Sequence, residues 1–250
     1  MNTYKSSAQL KGMSKEQLFG HYGTVIGALF LVGIISLVAD SIPSSLIRAS
    51  SIPELIIYYL IGFLITLFLG IFNSGEAFLY LKLICRQSVS AGDVFYGFKV
   101  HPDKAILLEF ALSIVIYICM TPVMVFYYLY LTAGLPVYML LMSVFLVIGA
   151  VIITIVYLML SQTFFLLQDF PQYSAKELIN MSRQIMKGHK GRLFYIHISF
   201  LPLYLLSVFS FFIAFFWLVP YTNTVLANFY MDLMKNRNQT SADDISQYNP

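Results

Sequence analysis

Four stretches of this chain, 22–39, 55–75, 110–168 and 193–231, contain no Asp, Glu, Lys or Arg. A helix rises about 1.5 Å per residue and a bilayer core is about 30 Å thick, so roughly 20 apolar residues make one crossing. The first two stretches fit one crossing each, and the last two are long enough for two. The expected fold is therefore an all-α polytopic transmembrane helix bundle with six spans. The alternative is five, if 193–219 forms a single crossing. Composition points the same way, because 59% hydrophobic and 11% charged residues leave little polar surface for water. The first stretch is too long for a signal-peptide core and no small-x-small cleavage site follows it, so it reads as a retained span.

The placement of the 15 Lys and Arg residues sets the expected orientation. With six spans, Lys5, Lys11 and Lys15 precede span one, and Lys82, Arg86, Lys99 and Lys104 lie between spans two and three. Lys176, Arg183, Lys187, Lys190 and Arg192 lie between spans four and five, Lys235 and Arg237 follow span six, and Arg48 alone faces outward. The positive-inside rule then puts both termini in the cytoplasm. Five spans would move Lys235 and Arg237 outside as well. Tyr58, Tyr59, Tyr127, Tyr128, Tyr130 and Tyr138 fall at the outer interface of the six-span arrangement, the depth at which amphipathic rings settle. The turn Thr132-Ala133-Gly134-Leu135-Pro136 divides the third stretch, and Ser207 and Ser210 suggest a tight turn near 208–212 in the fourth.

A single membrane domain over 1–237 is expected, with cytoplasmic interfacial segments near 4–20, 88–103 and 174–189, and a polar, disordered tail over 238–250. Segment 174–189 reads as an amphipathic helix on the inner leaflet. Ser174 and Glu177 form a capping box, Leu178, Met181, Ile185 and Met186 recur at helical spacing, and the polar side is basic. Lys176, Arg183, Lys187, Lys190 and Arg192 are the candidate contacts to anionic lipid, beside a purely topological role for the same charges. Gly20-His21-Tyr22-Gly23 before span one and Gly188-His189-Lys190-Gly191 before span five suggest a recurrent corner, in which a left-handed glycine turns the chain from lying along the leaflet to crossing it. Gly97-Phe98 and His101-Pro102 serve the same purpose before span three.

Several of these residues carry a family pattern. Ser182, Met186-Lys187-Gly188-His189-Lys190, Arg192-Leu193-Phe194, Leu218-Val219-Pro220-Tyr221 and Ala227-x-Phe229-Tyr230 resemble the bacterial integral membrane proteins grouped as domain of unknown function 975. Ala8-x-Leu10-Lys11-Gly12 and Asp93-Val94-Phe95-Tyr96-Gly97-Phe98 extend the resemblance over nearly the whole chain. It implies a multi-pass protein of the bacterial plasma membrane, more distantly similar to the membrane domain of some glycerophosphodiester phosphodiesterases. No established activity comes with it, so no functional residue is carried over.

The sequence contains no phosphate loop, GxGxxG, HExxH or GxSxG motif. Cys85 and Cys119 lack a neighbouring histidine cluster, and no cofactor is expected. Polar residues inside spans are the remaining pointers, because burying an ionisable group in lipid costs a few kcal/mol unless it is paired or hydrated. Glu76, Glu109, His197 and Asn228 all fall in the inner half of their spans and form a candidate polar pocket, with interhelical hydrogen bonding as the structural alternative. Pro122, Pro202 and Pro220 free backbone carbonyls that Thr222, Asn223 and Thr224 are placed to satisfy. Gly23-xxx-Gly27, Gly62 and Gly70 read as helix-packing positions within the bundle. The leading function is a non-catalytic membrane module that binds lipid or a membrane protein partner, with no nucleic acid involved. A small transporter with an inward-facing polar pocket is the alternative, and a lipid-modifying enzyme using Glu76, Glu109 or His197 ranks third.

Overall fold

A computed structural model describes residues 4–47 and 51–248, with side chains described as far as 237. Arg48, expected to face outward, lies outside the described residues. Every regular element among them is helical. The chain repeats one plan three times: a short capped helix, a left-handed corner, then a helical hairpin. The first unit is α1 (Ser7–Leu18), the hairpin α2 (Tyr22–Leu46) and α3 (Ile52–Ile84). In the second, a 3-10 turn (Ala91–Phe95) and α4 (Tyr96–Lys99) precede α5 (Pro102–Ala133), α6 (Pro136–Leu160) and α7 (Thr163–Asp169). The third has α8 (Ala175–Ile185), then α9 (Lys190–Ile198) and α10 (Leu201–Phe209) returning through α11 (Phe215–Tyr248).

Local chemistry explains this plan. Ser6 with Gln9, Ser90 with Asp93 and Ser174 with Glu177 each form a capping box, in which the serine side chain and the third residue satisfy each other's orphan amides. The corners follow at Gly20 (φ +83°), His101 (φ +52°) and Gly188 (φ +84°). Gly20 and Gly188 turn the chain as expected, and His101 does so before Pro102. Gly97 serves a different purpose from the expected corner. A methyl group there would overlap the Ile71 carbonyl, and one on Gly75 would overlap that of Val94, so these two glycines let the 3-10 turn and α4 lie directly on α3.

Among the described residues, five segments are long and apolar enough to cross a membrane: Tyr22–Leu46, Ile52–Ile84, Pro102–Ala133, Pro136–Asp169 and Lys190–Phe209. This is the build of a multi-pass membrane protein. The remaining long helix, α11, is not among them, because Pro220, Thr222, Asn223, Thr224 and Asn228 dilute its apolar start. Both expected turns are present, at Gly134 (φ +68°) between α5 and α6 and between Phe209 and Phe215, where Phe211 and Phe212 take left-handed conformations. The bounds of α11 run to Tyr248, through most of the 238–250 tail expected to be disordered, whose side chains lie outside the described residues.

The core sits at one end of the bundle. Ten residues of α3 between Gly70 and Leu83 are buried, whereas Ile52, Ile56, Leu60, Leu64 and Phe68 of its first half are exposed. The far end carries Phe209 at 82% and Phe211 at 88% exposure, a surface suited to acyl chains and ill suited to water. The short helices spend their apolar faces on protein. Leu10, Ser14 and Leu18 of α1 pack towards α11, while Leu178, Ser182 and Ile185 of α8 are buried against α5, α6 and α7, with the Ser182 hydroxyl donating to the Met159 carbonyl at 2.8 Å. The apolar stripe on 174–189 is thus a docking face for the bundle.

Two packing expectations need correction. A methyl group on Gly23 or Gly27 would meet no described residue within 4 Å, so this pair faces away from the described bundle, whereas Gly70 receives the Glu109 side chain where a methyl group would overlap it. Pro202 starts α10 after a break at Ser199 and Phe200, and the Lys11 ammonium donates to the Ser199 carbonyl at that break (3.2 Å). Burial, and then the charge of Lys15, hold that ammonium below its ordinary value. Thr222 and Thr224 bond the Leu218 and Pro220 carbonyls one turn back, while Asn223 turns away to the Tyr80 hydroxyl.

Candidate functional site

A cavity of about 530 Å³ lies among α3, α5, α6, α7, α9 and α11. Three of the four polar residues singled out in the sequence, Glu76, Glu109 and His197, line it together. On α3, Asn73, Glu76 and Tyr80 share one face at helical spacing. Asn73 donates to one oxygen of Glu109 (2.9 Å) and the Ser113 hydroxyl to the other (3.0 Å). Glu76 accepts no hydrogen bond from any described side chain, and His197 Nε2 is buried without a partner among the described residues. The Tyr157 ring meets the His197 ring edge-on at 5.7 Å. Glu76 also borders a second cavity, of about 450 Å³ between α2 and α11, whose other lining residues are apolar or glycine.

Asn228 does not join this group. Its amide donates to Ser14 (2.9 Å) and Gln17 (2.6 Å) of α1, on the opposite side of α11. The sequence reading also missed Asn73, Ser113 and Tyr80, and gave Asn223 only the role of satisfying freed carbonyls, although the Asn73, Glu76, Tyr80 spacing on α3 was available as a signal.

The cavity offers poor resources for covalent chemistry. Ser161 lines it with His197, but its hydroxyl donates to the Leu158 carbonyl (3.1 Å), which leaves no serine-histidine pair among the described contacts. No group of three or more His, Cys, Asp or Glu among the described residues is placed to hold a metal ion.

The basic run of 176–192 divides three ways. Arg183, Lys187 and Lys190 surround a cavity of about 690 Å³ formed by α8, the Gly188 corner, the start of α9 and Met159. None of the three has an ion-pair partner among the described residues. Lys176 is exposed two turns back on α8 and does not line that cavity. Arg192 points elsewhere: it pairs with Asp232 at 2.6 Å, donates to the Lys5 carbonyl and lies over the rings of Tyr4 and Phe229, at 5.2 and 4.9 Å. The Lys5 amide also donates to Asp232, and the Tyr4 and His189 rings touch at 4.5 Å. Burial, then the neighbouring Arg192 charge, hold the His189 imidazole below its ordinary value against a weaker upward pull from Asp232. This clasp ties the N-terminal segment, the third corner and α11 to one end of the molecule.

Comparison with curated proteins and with solved structures returns no match. One family profile, described as protein of unknown function (DUF975), matches residues 1–237. That span takes in the three capped helix-and-hairpin units as far as residue 237 of α11, with all three cavities described above, and the chain belongs to this family.

Proposed function

We propose that the protein is a non-catalytic, six-span module of the bacterial plasma membrane that binds anionic phospholipid at its cytoplasmic rim. The sixth crossing is α11. A return is needed after α9 and α10, and the contacts of Lys5, Arg192 and Asp232 support placing the N-terminus, the start of α9 and the later part of α11 at one end. The positive-inside rule assigns that end to the cytoplasm.

The observation that carries the lipid reading is the convergence of Arg183, Lys187 and Lys190 without acidic partners among the described residues. Lys82 and Arg192 are engaged with Asp93 and Asp232, whereas these three have no such partner among the described residues. The start of α9 adds its unsatisfied amides, since His189 makes no side-chain cap and Gly191 leaves the backbone open. Each cation gains about 1 kcal/mol near an anionic surface, so three together favour binding by about a hundredfold.

Lipid retention tests this reading. The triple substitution Arg183→Glu, Lys187→Glu, Lys190→Glu is expected to lower the phosphatidylglycerol retained by purified protein at least tenfold, as read by native mass spectrometry. Lys176→Glu should have a much smaller effect. Retention unchanged in the triple variant would reduce the three residues to topology signals.

A further inference from the structure

We infer that the interhelical cavity is a binding site for a hydrophobic organic cation, an ammonium group carried on an apolar body. The cavity lining contains two carboxylates, Glu76 and Glu109, and no lysine or arginine among the described residues. The apolar wall around them strengthens the attraction of a carboxylate for a cation, because little solvent screens the pair. Their settings differ in a way that suits a ligand. Glu109 is anchored by Asn73 and Ser113 with its side chain seated in the space left by Gly70, so it is a fixed acceptor. Glu76, one turn from Asn73 on the same face, keeps its oxygens uncommitted. His197 Nε2 supplies another uncommitted polar atom, in its neutral form an acceptor for an ammonium N–H.

The rest of the wall selects the body of the ligand. Phe164, Phe194, Leu112, Ile153 and Leu226 are apolar, and Tyr157 adds an aromatic face that also attracts a cation. A small inorganic ion would leave these surfaces unused, and the donors are not grouped for a metal. A volume of about 530 Å³ accommodates a compact aromatic or alkyl ammonium. This site is separate from the basic rim, whose charges have the opposite sign.

Tetraphenylphosphonium and tetraphenylborate have the same shape and opposite charge, and they separate electrostatic recognition from partitioning. Binding to detergent-solubilised protein is measured by equilibrium dialysis, with protein-free micelles subtracted. Saturable tetraphenylphosphonium binding is expected, with tetraphenylborate at least tenfold weaker. Glu76→Gln should weaken the cation at least tenfold while leaving the melting temperature within a few degrees of the parent. If that variant does not fold, Glu109→Gln and the comparison of the two ions in the parent protein carry the test. The rim triple variant should bind the cation as the parent does, which keeps this result distinguishable from failure of the lipid reading. Displacement by short-chain phosphatidylethanolamine identifies a lipid ammonium, and displacement by dodecylammonium alone identifies a free amine. Equal binding of the two tetraphenyl ions, a folded Glu76→Gln that binds normally, or failure of both displacers would overturn the inference.

Discussion

Gly75→Ala is expected to destabilise the protein by about 3 kcal/mol, at the upper end of the usual cost of overpacking. The added methyl group would overlap the Val94 carbonyl, and a backbone neighbour cannot rotate away. Either α3 or the 3-10 turn must move, and Val94, within that turn, is fully buried. A loss of that size corresponds to a fall in melting temperature of roughly 6 to 12 °C for a domain of this length. Thermal unfolding of the detergent-solubilised protein measures it. Gly23→Ala, where nothing lies within 4 Å, provides the control and should shift stability by less than about 0.5 kcal/mol. Equal effects at the two glycines would contradict the close packing of the 3-10 turn on α3.

Asp232→Ala is expected to cost about 3 kcal/mol, because it strands Arg192 between the Tyr4 and Phe229 rings and removes the acceptor of the Lys5 amide. The pair is partly shielded, with the Asp232 side chain 4% exposed and that of Arg192 21% exposed, which places the expected loss at the lower end for a broken buried ion pair. Since the same carboxylate ties down the N-terminal segment, proteolysis near Lys5 should accelerate together with the fall in melting temperature. Arg192→Ala combined with Asp232→Ala should then cost less than the sum of the single changes. Additive losses would show that the two side chains act independently.

The legible and illegible parts of this fold separate along physical lines. Long apolar helices and their turns were visible, because charge-free length marks the former and Gly134-Leu135-Pro136 or Ser207 to Ser210 the latter. The capping box at Ser174 and the corners at Gly20 and Gly188 were visible for the same local reasons. Azimuth was not. Asn228 lies two residues beyond Leu226, about 200° around the helix, so Leu226 lines the cavity while Asn228 faces α1. The same rotation separates Lys190, on the rim, from Arg192, in the clasp. A sequence reading places such residues at a common level but lacks the partner helix that decides which face is inside. Gly23 and Gly27 illustrate the converse, a small-residue pattern with no described residue within 4 Å of where a methyl group would sit.

The central claim, six crossings with the basic rim in the cytoplasm, is tested most directly by the sidedness of single cysteines. With Cys85 and Cys119 replaced by serine, a cysteine introduced at Gln184, on the exposed edge of the rim, should resist a membrane-impermeant maleimide in intact cells and react after permeabilisation. A cysteine at Gln239 should behave in the same way. Labelling of the Gln239 position from outside, with Gln184 protected, would establish five crossings, and labelling of Gln184 from outside would place the rim on the wrong face of the membrane for the proposed function.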